Sequence, residues 1–383
     1  STIGMNPNLK PEKTSSIEAG FEAAFWDNRL CLDFTYYKTD SRNQILKLAT
    51  TAASGYTSQV RNAGHIRNRG YEIQLGAVPI QTSKGFRWNL DLNYGANSSK
   101  VVKLDDEGLI TSYQLYWSGI QILASVGEAY GTLFGTSYVR DANGNVVVDA
   151  NGLPKISTTN KTLGKFTPDW TGGISNTFSY RSLSLSFLID ASVGGSIFSN
   201  TNKTGKYTGV LANTLSGRDA EHGGLWYYTD AMGNNVRLSE SPSYSVSSDG
   251  LYYAQVNGQS TRVYQDGIMV EGVTESGSKN EEVVSAEKYY HRIYSIAEAN
   301  VYDASYVKLR EVALSYRLPR LWTQKLHLQE ASVTLTGRNL WTIYKSVPNI
   351  DPESALTTGN AQGVEAYSLP TTRSFGVNLS VKF

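Results

Sequence analysis

Few residues of this chain have the types and spacing that chemistry requires. The four histidines, His65, His222, His291 and His327, are scattered, and none has the H-x-x-x-H spacing that puts two imidazoles on one metal. They read as solvated surface groups. Asp141, Asn143 and Asn145 are spaced as at the start of a calcium loop. A glycine then falls at the fourth place instead of the sixth, and Gly152 stands where the bidentate glutamate belongs. The twin Asp-Ala-Asn-Gly sequences at 141–144 and 149–152 therefore read as hairpin turns flanking Val146–Val148. Glu18, Glu22, Asp33, Asp91 and Asp190 could be taken for an acid/base set. Each alternates with apolar neighbours, however, as expected of the wet face of a strand. The loop aromatics Tyr116, Trp117, Trp226, Tyr227 and Tyr228 are candidates for ligand binding, by stacking on sugar rings or anchoring peptide side chains. The same groups would serve equally to pack a loop core or to meet a protein partner. Nothing here forms a catalytic constellation, a metal site or a cofactor motif, and no enzyme is expected.

Bulk composition narrows the class further. Lys and Arg number 35 against 34 Asp and Glu, a balance that implies no basic patch and no nucleic-acid partner. Cys31 is the only cysteine, so no intrachain disulfide can form. No run of about 18 apolar residues occurs, so a transmembrane helix is excluded. Membrane-crossing strands are not excluded, because they need alternation and not continuous hydropathy. The 25 tyrosines, 7 tryptophans and 35 glycines suit strands, turns and polar loops.

Alternation is the dominant pattern. Phe375, Val377, Leu379, Val381 and Phe383 are apolar, and the residues between them are small or polar. With successive side chains on opposite faces, one face of this last segment is wholly hydrophobic. Eight earlier segments repeat it, near 17–25, 30–36, 71–77, 86–95, 170–180, 183–193, 305–318 and 331–344. In the last two the apolar phase flips, at Arg310-Glu311 and at Gly337-Arg338-Asn339, where a β-bulge would restore the face. Short links (27–29, 79–85, 181–182, 319–329) alternate with long ones (40–65, 98–168, 196–303, 345–371). Short turns on one side and long loops on the other characterise outer-membrane barrels. The expected fold is thus all-β, about nine antiparallel strands forming the C-terminal portion of a large transmembrane β-barrel. Nine is an odd count where complete single-chain barrels are even, so residues 1–383 are expected to be the C-terminal part of a larger barrel.

Several motifs carry a family resemblance. They are Asn6-Pro7-Asn8-Leu9-Lys10-Pro11-Glu12, Asn68-Arg69-Gly70-Tyr71-Glu72, Pro168-Asp169-Trp170-Thr171-Gly172-Gly173, Ser305-Tyr306-Val307-Lys308-Leu309-Arg310, Gly337-Arg338-Asn339-Leu340 and the ending Val381-Lys382-Phe383. Together they resemble SusC-like (RagA-like) TonB-dependent outer-membrane transporters of Bacteroidetes. The resemblance implies a 22-stranded barrel in which the plug, the TonB box and the N-terminal strands are absent from this chain. It also implies outer-membrane localisation in a Gram-negative bacterium and TonB-energised import of an oligosaccharide or oligopeptide nutrient. The implied partners are a SusD-like lipoprotein lid on the extracellular loops, the TonB complex and the lipid bilayer. A receptor or adhesin barrel that binds without importing is the alternative. A secreted all-β enzyme or carbohydrate-binding module would instead need a soluble chain.

Overall fold

A computed structural model describes all residues except 1–2, 5, 50–54, 56–57, 105–110, 116–118, 326 and 357–361. Its main sheet holds nine antiparallel strands in chain order: β1 (Lys13–Phe25), β2 (Leu30–Ala49), β3 (Ser58–Gln81), β4 (Phe86–Lys103), β5 (Trp170–Tyr180), β6 (Leu183–Val193), β7 (Tyr306–Arg317), β8 (Glu330–Lys345) and β9 (Ser374–Lys382). A two-residue strand, Ile3–Gly4, adds in parallel to the start of β3. These are the nine segments that the alternation marks. The sheet does not close on itself, and β1 and β9 are its edges.

Register follows from keeping every apolar set on one face. Phe21 pairs with Phe34, and Phe34 with Ile73. Leu185 pairs with Leu314, Leu314 with Leu335, and Leu335 with Val377. Both bulges are present. The β6–β7 register jumps from Leu188↔Glu311 to Ile189↔Leu309 and leaves out Arg310. Between β7 and β8 it jumps from Glu311↔Arg338 to Leu309↔Trp341, with Asn339 at φ 51° in the left-handed region that asparagine tolerates.

The short links are turns. Trp26, Asp27 and Asn28 all have positive φ, Thr82–Gly85 closes with a Gly85 N–H to Thr82 carbonyl bond of 3.2 Å, and Arg181 turns β5 into β6. The fourth carries a short helix, α1 (Arg320–Lys325). One long link differs from expectation. Most of 40–65 is strand, since β2 runs to Ala49 and β3 begins at Ser58. Along these extensions neither face keeps an apolar period, so nothing in the sequence announces the strands.

The other long links fold into a shared mouth. Residues 104–169 carry a four-stranded sheet, and a six-stranded sheet lies between residues 225 and 285. Ser196–Ser199 pairs with Val301–Asp303 and with Val364–Glu365. Ile120, Ile122, Leu133, Phe198, Ala297 and Val364 make one buried core from three different links. The two Asp-Ala-Asn-Gly segments are turns, in which Asp141 and Asp149 each accept two backbone N–H bonds at 2.8–3.1 Å.

Candidate lumen wall and mouth

One face of the nine-stranded sheet is apolar and open, with Phe375 80% and Leu335 51% exposed. A water-soluble sheet would cover such a face. Aromatic residues gather near both ends of it. Trp26, Tyr180, Tyr316 and Trp322 lie at the short-turn end, and Tyr36, Tyr71, Trp341 and Tyr344 at the long-link end, all exposed. The eleven residues of β5 from Trp170 to Tyr180 span about 34 Å of strand. Tilted by about 40–45°, that length projects to about 25 Å, the height of an outer-membrane apolar band. Asn176 lies within this face, and its amide oxygen is paired there. Trp88 Nε1 donates to Asn176 Oδ1 at 3.0 Å, so that oxygen is not left bare on the apolar face.

The opposite, inner face is polar from edge to edge. Glu22, Asp33, Gln74, Asn93, Gly173, Asp190 and Lys308 are cross-strand neighbours in one row. A concavity of about 760 Å³ is lined by Glu22, Asp33, Gln74, Asp91, Asn93 and Ser175 among others. Of the expected lumen carboxylates, Glu22, Asp33 and Asp91 thus share one surface. Asp190, in the same row, also forms an ion pair with Arg310 at 2.7 Å.

Arg310 belongs to a clamp that closes the mouth onto this wall. Lys308, only 3% exposed at its side chain, reaches Asp351 Oδ1 at 2.6 Å and Glu353 Oε2 at 2.5 Å. Arg310 pairs with Glu353 as well, and Tyr306 Oη donates to Glu353 Oε1 at 3.0 Å. Thr371 donates twice to Asp351 Oδ2, from its backbone at 3.1 Å and its hydroxyl at 2.5 Å. Burial would raise the Asp351 carboxyl, but the Lys308 and Thr371 hydrogen bonds outweigh it and hold it at about 2. The link 346–373 is thereby tied to β7. Sequence reasoning met Tyr306, Lys308 and Arg310 only as parts of a motif and passed over Asp351 and Glu353. Their signal was two inward cations two residues apart, the second at the bulge, with two acids at the same spacing in a loop.

A second tie holds that link to the neighbouring one. Glu365, fully buried, accepts from Ser199 Oγ at 2.7 Å, Thr201 Oγ1 at 2.6 Å and the Ser368 N–H at 3.1 Å. It sits at the start of the helix Asn200–Thr208, where backbone N–H groups favour an anion.

The loop aromatics fall into different environments. Tyr116 and Trp117 lie outside the described residues. Trp226 and Tyr227 are buried, at 7% and 4% exposure, on opposite faces of the six-stranded loop sheet. Trp226 packs with Ala254 and Val263, and its ring stands 5.1 Å from that of Tyr244. Tyr227 stacks on Tyr264 at 5.0 Å and bonds to Asp266. Tyr228 is half-buried beside the Trp226 cluster. In this arrangement Trp226 and Tyr227 hold the loop sheet together.

Comparison with known proteins agrees with this architecture. Residues 1–340 match the family described as "TonB dependent receptor-like, beta-barrel". TonB-dependent receptor P3 of Formosa agariphila is 26% identical over 409 residues, covering 99% of this chain and 35% of the relative. TonB-dependent receptor SusC of Bacteroides thetaiotaomicron is 23% identical, covering 99% of this chain and 32% of its own. Among solved structures, the RagAB peptide transporter aligns with a TM-score of 0.61 at 20% identity, covering 99% of this chain and 36% of that one. The "closed-closed" state of the RagAB peptide importer gives 0.63 at 19% identity, again over 99% of this chain and 36% of that one. The chain spans about a third of the length of the curated relatives it matches.

Proposed function

Because the chain belongs to the TonB dependent receptor-like β-barrel family, we propose that it forms part of the wall and mouth of an energised nutrient importer in the outer membrane of a Gram-negative bacterium. The observation that carries the reading is the two-faced sheet: an apolar, aromatic-edged outside, a polar inside, and long links that fold together over one end. In lipid the open edges β1 and β9 require partners. We assign these to further strands of the same barrel, which would also enclose a plug. TonB would act through that remaining part.

The cargo class is an oligosaccharide or an oligopeptide. The likeness to the RagAB peptide transporter supports the peptide half of this class, and the SusC-like motifs imply the oligosaccharide half. A SusD-like surface lipoprotein would cover the folded links at the mouth. Tyr116, Trp117 and Tyr228 remain the loop aromatics through which cargo or lid would be met. Trp226 and Tyr227 would support that surface from within.

Uptake in living cells tests the proposal. Cells lacking the full-length protein should lose accumulation of one class of labelled oligosaccharide or oligopeptide. Wild-type cells should lose it when the proton motive force is collapsed. Surface binding that persists without energy-dependent accumulation would contradict import and favour a receptor or adhesin.

A further inference from the structure

The near balance of charge over the chain conceals a local segregation that the register exposes. On the outer face of β1–β4, two residues beyond the girdle residues Tyr36 and Tyr71, Lys38 stands directly opposite Arg69. One row further Arg67 opposes Lys100, and in the next row Lys13 opposes Arg42. Like charges directly opposite one another weaken strand pairing. Three such pairs stacked together need a compensating anion. Among the described residues these rows hold one carboxylate, Asp40, and Arg67 and His65 already occupy it at 2.9 and 2.7 Å. Among the described residues, Lys13, Lys38, Arg42, Arg69 and Lys100 have no carboxylate partner.

Position identifies the missing anion. Two residues of strand place the first row about 7 Å beyond the aromatic girdle, at the depth of lipid headgroups. Lys and Arg bury their stems at such an interface and project the charge outward, and guanidinium forks match phosphate oxygens. Ser15 and Ser98 are the small residues between these long side chains, leaving room for a headgroup. The patch is also confined. Near the same end of β8 the exposed residues from Trp341 to Lys345 include a single cation, Lys345, whose ammonium donates to the Ile350 carbonyl at 2.7 Å.

We propose that the outer rim of β1–β4 binds the phosphate groups of an anionic lipid in the adjoining leaflet, with Lys38 and Arg69 as the first contacts and Lys100 and Arg42 behind them. This rests on the reading of the sheet as a membrane wall. It also corrects the inference from total charge that no basic patch exists.

The test uses the full-length protein taken from its own membranes in mild detergent, with phosphate-bearing lipid counted by native mass spectrometry and phosphorus assay. Wild type should keep such lipid through delipidation. The Lys38→Gln/Arg69→Gln/Lys100→Gln variant should keep about tenfold less. A Lys84→Gln/Lys325→Gln control, at the opposite end of the strands, should match wild type. Equal retention by wild type and the triple variant would overturn the proposal. So would displacement of the lipid by millimolar inorganic phosphate, which would mark a free-anion site, or loss of an acidic protein instead of lipid. Recovery of the wild-type protein without detergent would instead refute the membrane reading. Detergent-only recovery with unchanged lipid refutes this inference alone. Heat-modifiable mobility on gels reports whether the variant folds.

Discussion

The wall sheet and the six-stranded loop sheet are built from the same residue types and place them in opposite ways. On the wall, Tyr316, Trp341 and Phe375 stand exposed on the outer face, and polar groups fill the inside. In the loop sheet, Trp226, Ala254 and Val263 are buried together, and Tyr227 is buried on the other face. The difference reflects two solvents. A sheet facing hydrocarbon gains by presenting its apolar side, whereas a sheet in water gains by hiding it. The wall therefore needs no packing partner to define its apolar face. The loop sheet depends on side chains gathered from several strands of its own.

Substitutions at the centre of each sheet test this contrast most strongly. Trp226→Ala should cost about 3–5 kcal/mol of loop-sheet stability. It should leave the wall intact, so hydrogen exchange would rise across residues 225–285 while β1–β9 stay protected. On the wall, Leu335→Arg should cost about 2–4 kcal/mol near mid-bilayer, and Thr336→Arg, one residue away on the inner face, less than about 1 kcal/mol. Equilibrium unfolding of the full-length protein in lipid would compare the two. Equal costs would break the distinction between the faces.

Weaker effects sharpen it. Trp88→Phe removes the donor to Asn176 and should cost about 1–3 kcal/mol, because the amide is then unpaired against lipid. Trp88→Phe/Asn176→Leu should recover most of that loss. The clamp between wall and mouth should respond to acid. The Asp351 carboxyl is held below its ordinary 3.8, at about 2. A depressed acid contributes stability that is complete above its unfolded value and lost as pH falls through the folded one. Residues 346–356 should therefore resist proteolysis at neutral pH and open between pH 3.8 and about 2. Asp351→Asn should open them at neutral pH.

What could be read from the sequence follows the same division. All nine wall strands and both bulges were legible, because alternation survives wherever one face meets lipid. The ends of β2 and β3 were not. Past Lys38 and Arg69 neither face keeps an apolar period, so nothing separated strand from loop. The mouth was opaque for another reason. Phe198, Ile120 and Val364 share a core although they are far apart in the chain, and no local pattern announces such a meeting. Lys308 and Arg310 looked like ordinary polar wall residues until the fold brought Asp351 and Glu353 to them. The basic rim was hidden in the same way, since cross-strand pairing and not sequence distance sets Lys38 against Arg69.

The central claim is that alternate residues of these strands face lipid and water. Single cysteines at each position from Phe375 to Val381, in the full-length protein carrying Cys31→Ser and any other cysteine replaced, give the most direct measurement. In native membranes the even positions should react with a water-soluble maleimide, and the odd positions only with a lipid-soluble one. Uniform labelling by the water-soluble reagent at all seven positions would contradict the account.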